Sequence, residues 1–145
     1  MNPETPLTID GEVAVPVALS RADLSAFLDE DRIDDVSQVE DRRQGKAVRL
    51  NALLKRVQPG ASATHVTLHA SADDFAASLP LDAARDVGIL IYEINGEPLD
   101  TKAGGPFRFL IPNAAECKTA ELDGCANVKF LDRIELTAGK GRDTR

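Results

Sequence analysis

Residues 64–112 constrain the fold more strongly than any other part of the chain, because strand-forming and turn-forming segments alternate there without a long interruption. In the segment THVTLH, Val66 and Leu68 alternate with polar residues, which is the period of a half-buried strand. Three further segments are rich in apolar residues and end at a proline or an Asn-Gly pair, both of which form turns. These predicted strands are residues 75–79, 89–94 and 107–111. We therefore expect this stretch to form the core of a sheet.

The N-terminal part has weaker strand signals and one clear helix start. Two short strands are predicted on either side of a turn at Asp10-Gly11. Ser20, with Asp23 three residues later, forms a capping box that predicts the start of a helix. The core-facing side chains of this helix, at the i, i+3 and i+4 spacing of one face, are predicted to be Leu24, Phe27 and Leu28.

The next part of the chain predicts a second, better-defined helix. The acidic run at residues 29–35 (DEDRIDD) is interpreted as a solvated helix end and loop, since it lacks the ligand and glycine pattern of an EF-hand. Residues 36–41 are predicted to form a strand. Apolar residues at i, i+3, i+4 and i+7 predict a helix at residues 50–57, ended by Pro59-Gly60. Residues 82–86 predict a single helical turn.

The C-terminal part predicts a surface loop and a last strand. Residues 113–124 are polar and have no periodicity, whereas residues 128–137 predict a short turn followed by a strand through Ile134 and Leu136. No linker or repeat divides the chain, and 145 residues that are 43% hydrophobic supply one core. We therefore predict a single domain over residues 1–145, with frayed ends at residues 1–5 and 139–145.

Charge and hydropathy argue against two classes of function. The formal net charge of −7 disfavours nucleic-acid binding, which needs a basic surface. No segment reaches the roughly 18 consecutive apolar residues of a membrane span. The first ten residues lack the basic and apolar regions of a signal peptide. The expectation is a cytoplasmic protein that binds neither nucleic acid nor membrane.

The cysteines and histidines do not predict a metal site. Cys117 and Cys125 are expected to be free thiols in a cytoplasmic chain, with a local disulfide as the alternative. Neither has a nearby histidine or second cysteine pair to complete tetrahedral zinc. His65 and His69 lie four residues apart on a predicted strand, about 13 Å at ~3.3 Å per residue. That separation is too large for both to bind one ion.

Common catalytic motifs are also absent from the sequence. There is no G-x-S-x-G, Walker A or G-x-G-x-x-G motif. His69, Ser71 and Asp73 include the residue types of a triad, but neighbours at a strand end do not form its geometry. The adjacent Asp73 and Asp74 would point to opposite faces of a strand. No catalytic residue is therefore predicted.

Four motifs occur in an order and spacing that resemble a known family. They are Asp73-Asp74-Phe75, SLPL at residues 78–81, YEINGEPL at residues 92–99 and GGPFRFLIP at residues 104–112. Together they resemble the molybdopterin-binding oxidoreductase domain of the sulfite oxidase family. Further similar elements, which extend the resemblance over nearly the whole chain, are residues 7–28, 47–54 and 129–136. The resemblance implies an α+β fold with a mixed β core and short peripheral helices.

The resemblance also shows where a molybdenum ligand is expected. In this family a cysteine thiolate binds molybdenum beside the two sulfurs of the pterin dithiolene, and a soft thiolate suits this metal. The cysteine precedes the L-x-x-L-L helix, where this chain reads VSQVEDRRQG at residues 36–45 and has no cysteine. Gln38 or Val39 lies nearest the expected place. Cys117 and Cys125 fall elsewhere in the pattern and could replace the ligand only if the fold brings their loop over the pocket.

A set of anion-binding residues is implied as well. Arg108 matches the arginine of the family's P-x-R step, and Lys129 matches the lysine ahead of a hydrophobic pair. Arg42 and Arg43 follow the missing cysteine, as a basic pair does in some relatives. All four would face the anionic end of the cofactor or an oxyanion substrate, while Ala103 stands where the family often has a histidine. The alternative interpretation is that each is a surface cation paired with one of the 24 acidic residues.

Three hypotheses follow from these residues. The first is a non-catalytic binding or interaction module that has lost molybdenum ligation, with no cofactor expected, although molybdopterin is a candidate ligand. Its partner would be a protein or a small anion. The alternative is a molybdopterin-dependent oxidoreductase that holds the cofactor through the four cations without a protein thiolate, or with Cys125 as a substitute. The third is an apo fold that binds a small anion or belongs to a larger complex.

Overall fold

The computed structural model describes residues 6–38, 44–100, 102–111 and 128–144. Within these ranges the chain forms ten strands and three short helices. The strands are β1 (Leu7–Gly11), β2 (Val17–Leu19), β3 (Arg32–Ile33), β4 (Lys46–Arg49), β5 (His65–Ala70), β6 (Phe75–Pro80), β7 (Ile89–Glu93), β8 (Phe107–Leu110), β9 (Val128–Leu131) and β10 (Arg133–Thr137). The helices are α1 (Arg21–Ser25), α2 (Leu50–Val57) and α3 (Leu81–Ala84).

The strands form two five-stranded sheets. Sheet one has the order β2-β1-β10-β5-β6, and sheet two has the order β3-β4-β7-β8-β9. The β1–β10 pair is parallel and the other pairs are antiparallel, so sheet one is mixed. The consecutive strands β9 and β10 belong to different sheets, and the chain passes between them at Asp132, whose N–H donates to the His69 carbonyl at 3.0 Å. The predicted α+β fold with short peripheral helices is confirmed.

The main core lies between the two sheets. Its buried residues include Leu68 and Ile134 of sheet one and Leu90, Tyr92 and Phe109 of sheet two. Because strand side chains alternate between faces, the intervening residues of sheet two point the other way. They form a second, smaller apolar cluster, which includes Ile33, Ala47, Ile89, Ile91 and Leu110. This outer face of sheet two holds the candidate site.

The predicted helix starts and strands of the central stretch are present. Ser20 Oγ accepts from the Asp23 N–H at 3.1 Å and Asp23 Oδ2 accepts from the Ser20 N–H at 2.9 Å, so the capping box is formed. The expectation that Leu28 faces the core was wrong, because α1 ends at Ser25 and Leu28 is extended (φ −63°, ψ 151°) and 66% exposed. Leu24 and Phe27 are buried as predicted.

Other predictions need correction. Residues 36–38 form a 3₁₀ turn instead of starting a strand, and residues 39–41 lie outside the described part of the chain. The acidic run contains the short strand β3, and residues 128–131 form β9 instead of a turn. The tail is predicted to fray, but residues 141–144 hydrogen-bond to the Ser78 side chain and to the β6 backbone. The predicted loop at 113–124 and the N-terminal residues 1–5 lie outside the described ranges.

Across the described ranges, no helix combines the length and hydrophobicity needed to cross a membrane.

Candidate functional site

A cavity of about 210 Å³ opens on the outer face of sheet two. Its floor is built by Ile91 and Arg108, which are direct partners across the β7–β8 pair. The β7–β8 connection supplies one wall, and the residue two positions before β4 supplies the other. Besides the two floor residues, the lining consists of Gln44, Ile94, Leu99, Lys102 and Ala103. Strand pairing therefore fixes the position of Arg108, while a turn presents Lys102.

Asp100 organises this turn. Its carbonyl accepts from the N–H groups of Ala103 at 3.1 Å and Gly105 at 2.8 Å, and its Oδ1 accepts from the Ala103 N–H at 2.9 Å. Gly105 packs so closely on the chain that a β-carbon there would lie 2.0 Å from the Leu99 carbonyl oxygen. The backbone path around Lys102 and Ala103 is thus set by local bonds and a close contact that only glycine permits.

Gly104 brings Arg108 and Lys129 to the same place. A β-carbon on Gly104 would lie 3.4 Å from Arg108 Nη1 and 3.0 Å from Lys129 Cβ. Gly104 has φ +91°, a backbone conformation that glycine adopts readily. The Phe130 N–H donates to the Gly104 carbonyl at 2.7 Å, which holds β9 against the turn. Two of the predicted anion-binding residues therefore flank one glycine.

The cavity has a cationic lining in an acidic protein. Among the described lining residues, Lys102 and Arg108 are the charged ones and none is a carboxylate. Within the described part of the chain, neither Lys102 nor Lys129 forms an ion pair with a carboxylate. Lys129 is exposed, and its Nζ lies 5.5 Å from the centroid of the Phe130 ring. Arg108 is half-buried.

A second, more open cavity of about 370 Å³ shares Gln44 with the first. It is lined by Asp34, Asp35, Ser37, Gly45, Lys46, Asn95 and Gly96 in addition. The Val36 N–H donates to the Gly45 carbonyl at 2.9 Å, which closes the base of the segment between them. The resemblance described above places the family's cysteine in that segment. Arg42 and Arg43 belong to it and lie outside the described residues, while Gln38 is described and exposed.

Sequence reasoning missed two lining residues. Lys102 directly precedes Ala103, the position where the resembled family often has histidine, and it supplies a cation to the same turn. Gln44 lies in the segment VSQVEDRRQG, directly after the predicted anion-binding residues Arg42 and Arg43. The G-G-P-x-R motif could have indicated Lys102, because Lys102 lies two residues before Gly104 and its backbone belongs to the same turn.

The histidines lie in sheet one, away from this cavity. His69 Nε2 is 3.0 Å from Glu135 Oε1, and His65 Nδ1 is 2.9 Å from Thr64 Oγ1. The described residues contain no cluster of three or more His, Cys, Asp or Glu side chains that could hold a metal. Both cysteines lie in residues 112–127, outside the described ranges. The two histidines thus have separate hydrogen-bond partners.

Tyr92 lies on the opposite face of β7 from the cavity floor, in the core. Its side chain is fully buried, and burial raises the pKa of its hydroxyl above the usual range, while the nearby Arg32 opposes this shift less strongly. Neither Tyr92 Oη nor Arg32 Nε has a hydrogen-bond partner of good geometry among the described residues. Arg32 pairs instead with Asp29 and Asp34 on the surface.

The residues of the site fit one half of a molybdenum cofactor. Lys102, Arg108 and Lys129 suit a phosphate-bearing end, because cations and phosphate oxygens form charge-assisted hydrogen bonds. The described residues supply no thiolate for the metal, and residues 36–45 contain no cysteine in sequence. Among the described residues, the donor set therefore suits the anionic end of the cofactor and includes no sulfur ligand for molybdenum.

Comparisons with known proteins show the fold and the family of the chain. The crystal structure of the sulfane dehydrogenase SoxCD from Paracoccus pantotrophus superposes with a TM-score of 0.68 at 19% identity, over 97% of this chain and 40% of that chain. This likeness is one of fold, and the chain spans less than half the length of that neighbour. No protein of curated function matches the chain. The family model described as the oxidoreductase molybdopterin binding domain matches residues 3–144, and the chain therefore belongs to this family.

Proposed function

We propose that this chain is a non-catalytic binding module of the molybdopterin-binding family, which holds an anionic ligand without ligating molybdenum through a thiolate. The ligand is the phosphate-bearing end of a pterin cofactor or another small phosphate compound. One observation carries the proposal: among the described residues, the charged side chains that line the cavity are Lys102 and Arg108, and none is a carboxylate. In a chain of net charge −7, such a cationic cavity favours anions by local charge and not by overall attraction.

The arrangement of donors supports this ligand class. Arg108 offers a planar fork of N–H donors that matches two phosphate oxygens, while Lys102 and Lys129 offer compact charges on flexible stems. Half-burial of Arg108 strengthens its interactions, because the effective dielectric falls away from bulk water. Gln44 adds an uncharged amide at the opposite wall. Arg42 and Arg43 belong to the same proposed set through their place in the sequence.

The missing thiolate supports the non-catalytic part of the proposal. The segment that corresponds to the family's cysteine reads VSQVEDRRQG, and its described ends, at Ser37 and Gln44, line the open cavity next to the cationic one. Gln38 offers an amide in place of a soft sulfur donor, and an amide is a poor ligand for a metal that prefers thiolates. The cavity keeps its charge while the metal-binding group is replaced.

Metal and pterin content test the proposal directly. The protein would be purified from a host that makes molybdenum cofactor, with molybdenum measured by mass spectrometry and pterin by fluorescence after oxidation. We expect molybdenum far below one equivalent. Molybdenum near one equivalent would overturn the non-catalytic assignment and favour the second candidate, an oxidoreductase that holds the cofactor without a protein thiolate. The family's description as an oxidoreductase domain is the observation that favours this candidate.

Phosphate titration tests the second part of the proposal, that the cavity binds an anion. Inorganic phosphate and pyrophosphate would be titrated against the thermal unfolding midpoint of the wild type and of Arg108→Gln. A ligand at tenfold its Kd stabilises the folded state by about 1.4 kcal/mol, which raises the unfolding midpoint by roughly 4–5 °C for a chain of 145 residues. Arg108→Gln should remove most of this shift, whereas Lys55→Gln on the exposed face of α2 should keep it. Equal shifts in all three proteins would contradict binding at the cavity.

A further inference from the structure

The C-terminal segment 141–144 lies along β6, the outermost strand at one edge of sheet one in the described part of the chain. The opposite edge is β2, which has only three residues, whereas β6 has six. A long edge strand with unpaired N–H and C=O groups is a template for pairing with another chain. The groups that pair with the backbone of β6 therefore decide whether this edge is open to another chain.

Side chains of the segment accept hydrogen bonds from the backbone N–H groups of β6 that point away from β5. Asp143 Oδ2 accepts from the Ser78 N–H at 3.3 Å, and Thr144 Oγ1 accepts from the Ala76 N–H at 3.1 Å. The Thr144 N–H donates to the Ala76 carbonyl at 2.8 Å. Since every second residue of a strand faces the same edge, the next outward position is Pro80, which has no N–H. Two capping side chains and one proline thus account for this edge.

Gly141 anchors the segment over β5 and β6. Its N–H donates to Ser78 Oγ at 2.9 Å, and Ser78 Oγ also accepts from Thr67 Oγ1 at 3.1 Å. A β-carbon on Gly141 would lie 2.3 Å from Thr67 Oγ1, so a larger residue cannot occupy this position without moving the segment. A second anchor is the exposed ion pair between Arg142 Nη2 and Asp74 Oδ1 at 2.8 Å.

The described contacts that hold the segment are mainly polar, and such contacts are reversible. None of residues 140–144 belongs to the apolar core. Segments with few buried apolar contacts open at a lower free energy than the core. Opening this segment would uncover the Ala76 and Ser78 donors without disturbing the β5–β6 pairing beneath them.

We propose that residues 141–144 form a displaceable strap, and that the β6 edge beneath it pairs with β6 of a second copy of this chain when the strap is released. The edge is self-complementary. In an antiparallel pair with Ala77 of one copy opposite Ala77 of the other, Ala76 of each copy lies opposite Ser78 of the other copy. Each of these two residue pairs exchanges two main-chain hydrogen bonds, which makes four in all. The small side chains at positions 76–78 allow close approach, and Pro80 ends the pairing. This inference is independent of the proposed anion binding.

Two variants release the strap by different routes. Asp143→Ala/Thr144→Ala removes the capping acceptors, and Gly141→Val expels the segment by its clash with Thr67 Oγ1 while leaving the caps in sequence. Arg142→Ala is the matched control, because it removes an exposed ion pair of small energetic value and leaves the capping side chains in place. Sedimentation velocity should show at least about a tenfold rise in the dimer association constant for both release variants, equivalent to about 1.4 kcal/mol, and little change for the control.

Amide hydrogen exchange separates release of the strap from general unfolding. In the wild type, the Ala76 and Ser78 amides should be protected. In dilute release variants they should exchange faster, while the Val66 and Leu68 amides of β5 stay protected. A dimer should restore protection at Ala76 and Ser78. Variants that remain monomeric with exposed Ala76 and Ser78 amides would overturn the proposal, and so would global loss of the β-sheet signal, since a displaceable strap is not required for the fold. Unprotected Ala76 and Ser78 amides in the wild type would also overturn it.

Discussion

The backbone N–H of Phe130 donates to the carbonyl oxygen of Gly104 across 2.7 Å, and this bond joins the strand that carries Lys129 to the turn that precedes Arg108. Phe130 itself has φ +60°, an uncommon conformation for an aromatic residue. The pairing of β8 with β9 is irregular at the same level, between Phe107 and Phe109. Local irregularity of the backbone thus coincides with the convergence of the two cations, as is common where side chains are positioned for binding.

Gly104→Ala tests whether the close approach of Arg108 and Lys129 depends on the absence of a side chain at position 104. The added β-carbon would lie 3.0 Å from Lys129 Cβ and 3.4 Å from Arg108 Nη1, at φ +91°. The matched control is Gly96→Ala, at φ +79° with no atom within 4 Å, which has the backbone strain alone. We expect Gly104→Ala to lower the free energy of unfolding by about 1–3 kcal/mol more than Gly96→Ala does, the range typical of overpacking. Urea denaturation would measure both, and equal losses would show that the contact is unimportant.

Lys102→Gln tests a residue that the sequence motifs did not single out. The substitution keeps a polar side chain at the cavity wall and removes its charge. The proposed interaction with phosphate is electrostatic and partly solvent-exposed, so we expect Lys102→Gln to weaken phosphate binding several-fold. Added salt should lower the phosphate affinity of the wild type toward that of the variant. Calorimetric titration at low and moderate ionic strength would measure this. An affinity that does not depend on salt or on Lys102 would argue for a different site.

Asp100→Ala tests the turn instead of the charges. Asp100 Oδ1 accepts from the Ala103 N–H at 2.9 Å on an exposed surface, so its loss should cost about 1 kcal/mol of stability. Phosphate affinity should fall as well, although the substitution removes a negative charge near the cavity. A simple charge effect would raise the affinity. The sign of the change in calorimetric affinity therefore distinguishes positioning by Asp100 from electrostatic repulsion.

Much of the fold could be predicted because its signals are local. The capping box at Ser20 and Asp23 and the helix ended by Pro59-Gly60 depend on residues within one or two turns of each other. The alternation around Val66 and Leu68 likewise indicates a strand without tertiary information. Such patterns predict an element's type well when local preference and burial agree.

The wrong predictions concern segments whose conformation depends on tertiary contacts. The alternation in VKFLDRIELT at residues 128–137 breaks at Phe130-Leu131 and Asp132-Arg133. This break predicts a turn, but nothing in the segment shows that the chain leaves sheet two and enters sheet one at Asp132. Leu28 kept a helical spacing after the helix had ended. The docking of the C-terminal segment depends on a contact between Gly141 and Thr67, 74 positions apart, which no local pattern contains. For the site, the motif identified Arg108 and Lys129, but Lys102 became apparent only from the path of the turn.

Tyr92 provides a pH-dependent signal, because it is the only tyrosine and the chain has no tryptophan. Burial raises the pKa of its hydroxyl. The unfolded chain, with an ordinary tyrosine pKa of about 10, then loses its proton at lower pH than the folded protein. This contribution to stability is full below pH ~10 and is lost as pH rises from there through the folded pKa. Absorbance of tyrosinate should appear later in a pH titration of folded protein than in denaturant. Coincident titrations would contradict the burial.

Gln38→Cys tests whether the absent thiolate limits metal binding, and it depends on the proposed function. Gln38 lies nearest the place of the family's cysteine among the described residues, in the turn that leads to the open cavity. If the cationic cavity still holds the pterin, a thiolate here should raise molybdenum content several-fold over the wild type, since a soft sulfur donor is restored. Ser62→Cys places an equally exposed thiol elsewhere and should have no effect. Should the pterin be retained with no gain in metal, position 38 is not the ligand position, and Val39→Cys becomes the next variant. Should neither pterin nor metal be retained in Gln38→Cys or in the wild type, the cavity binds an anion other than the cofactor.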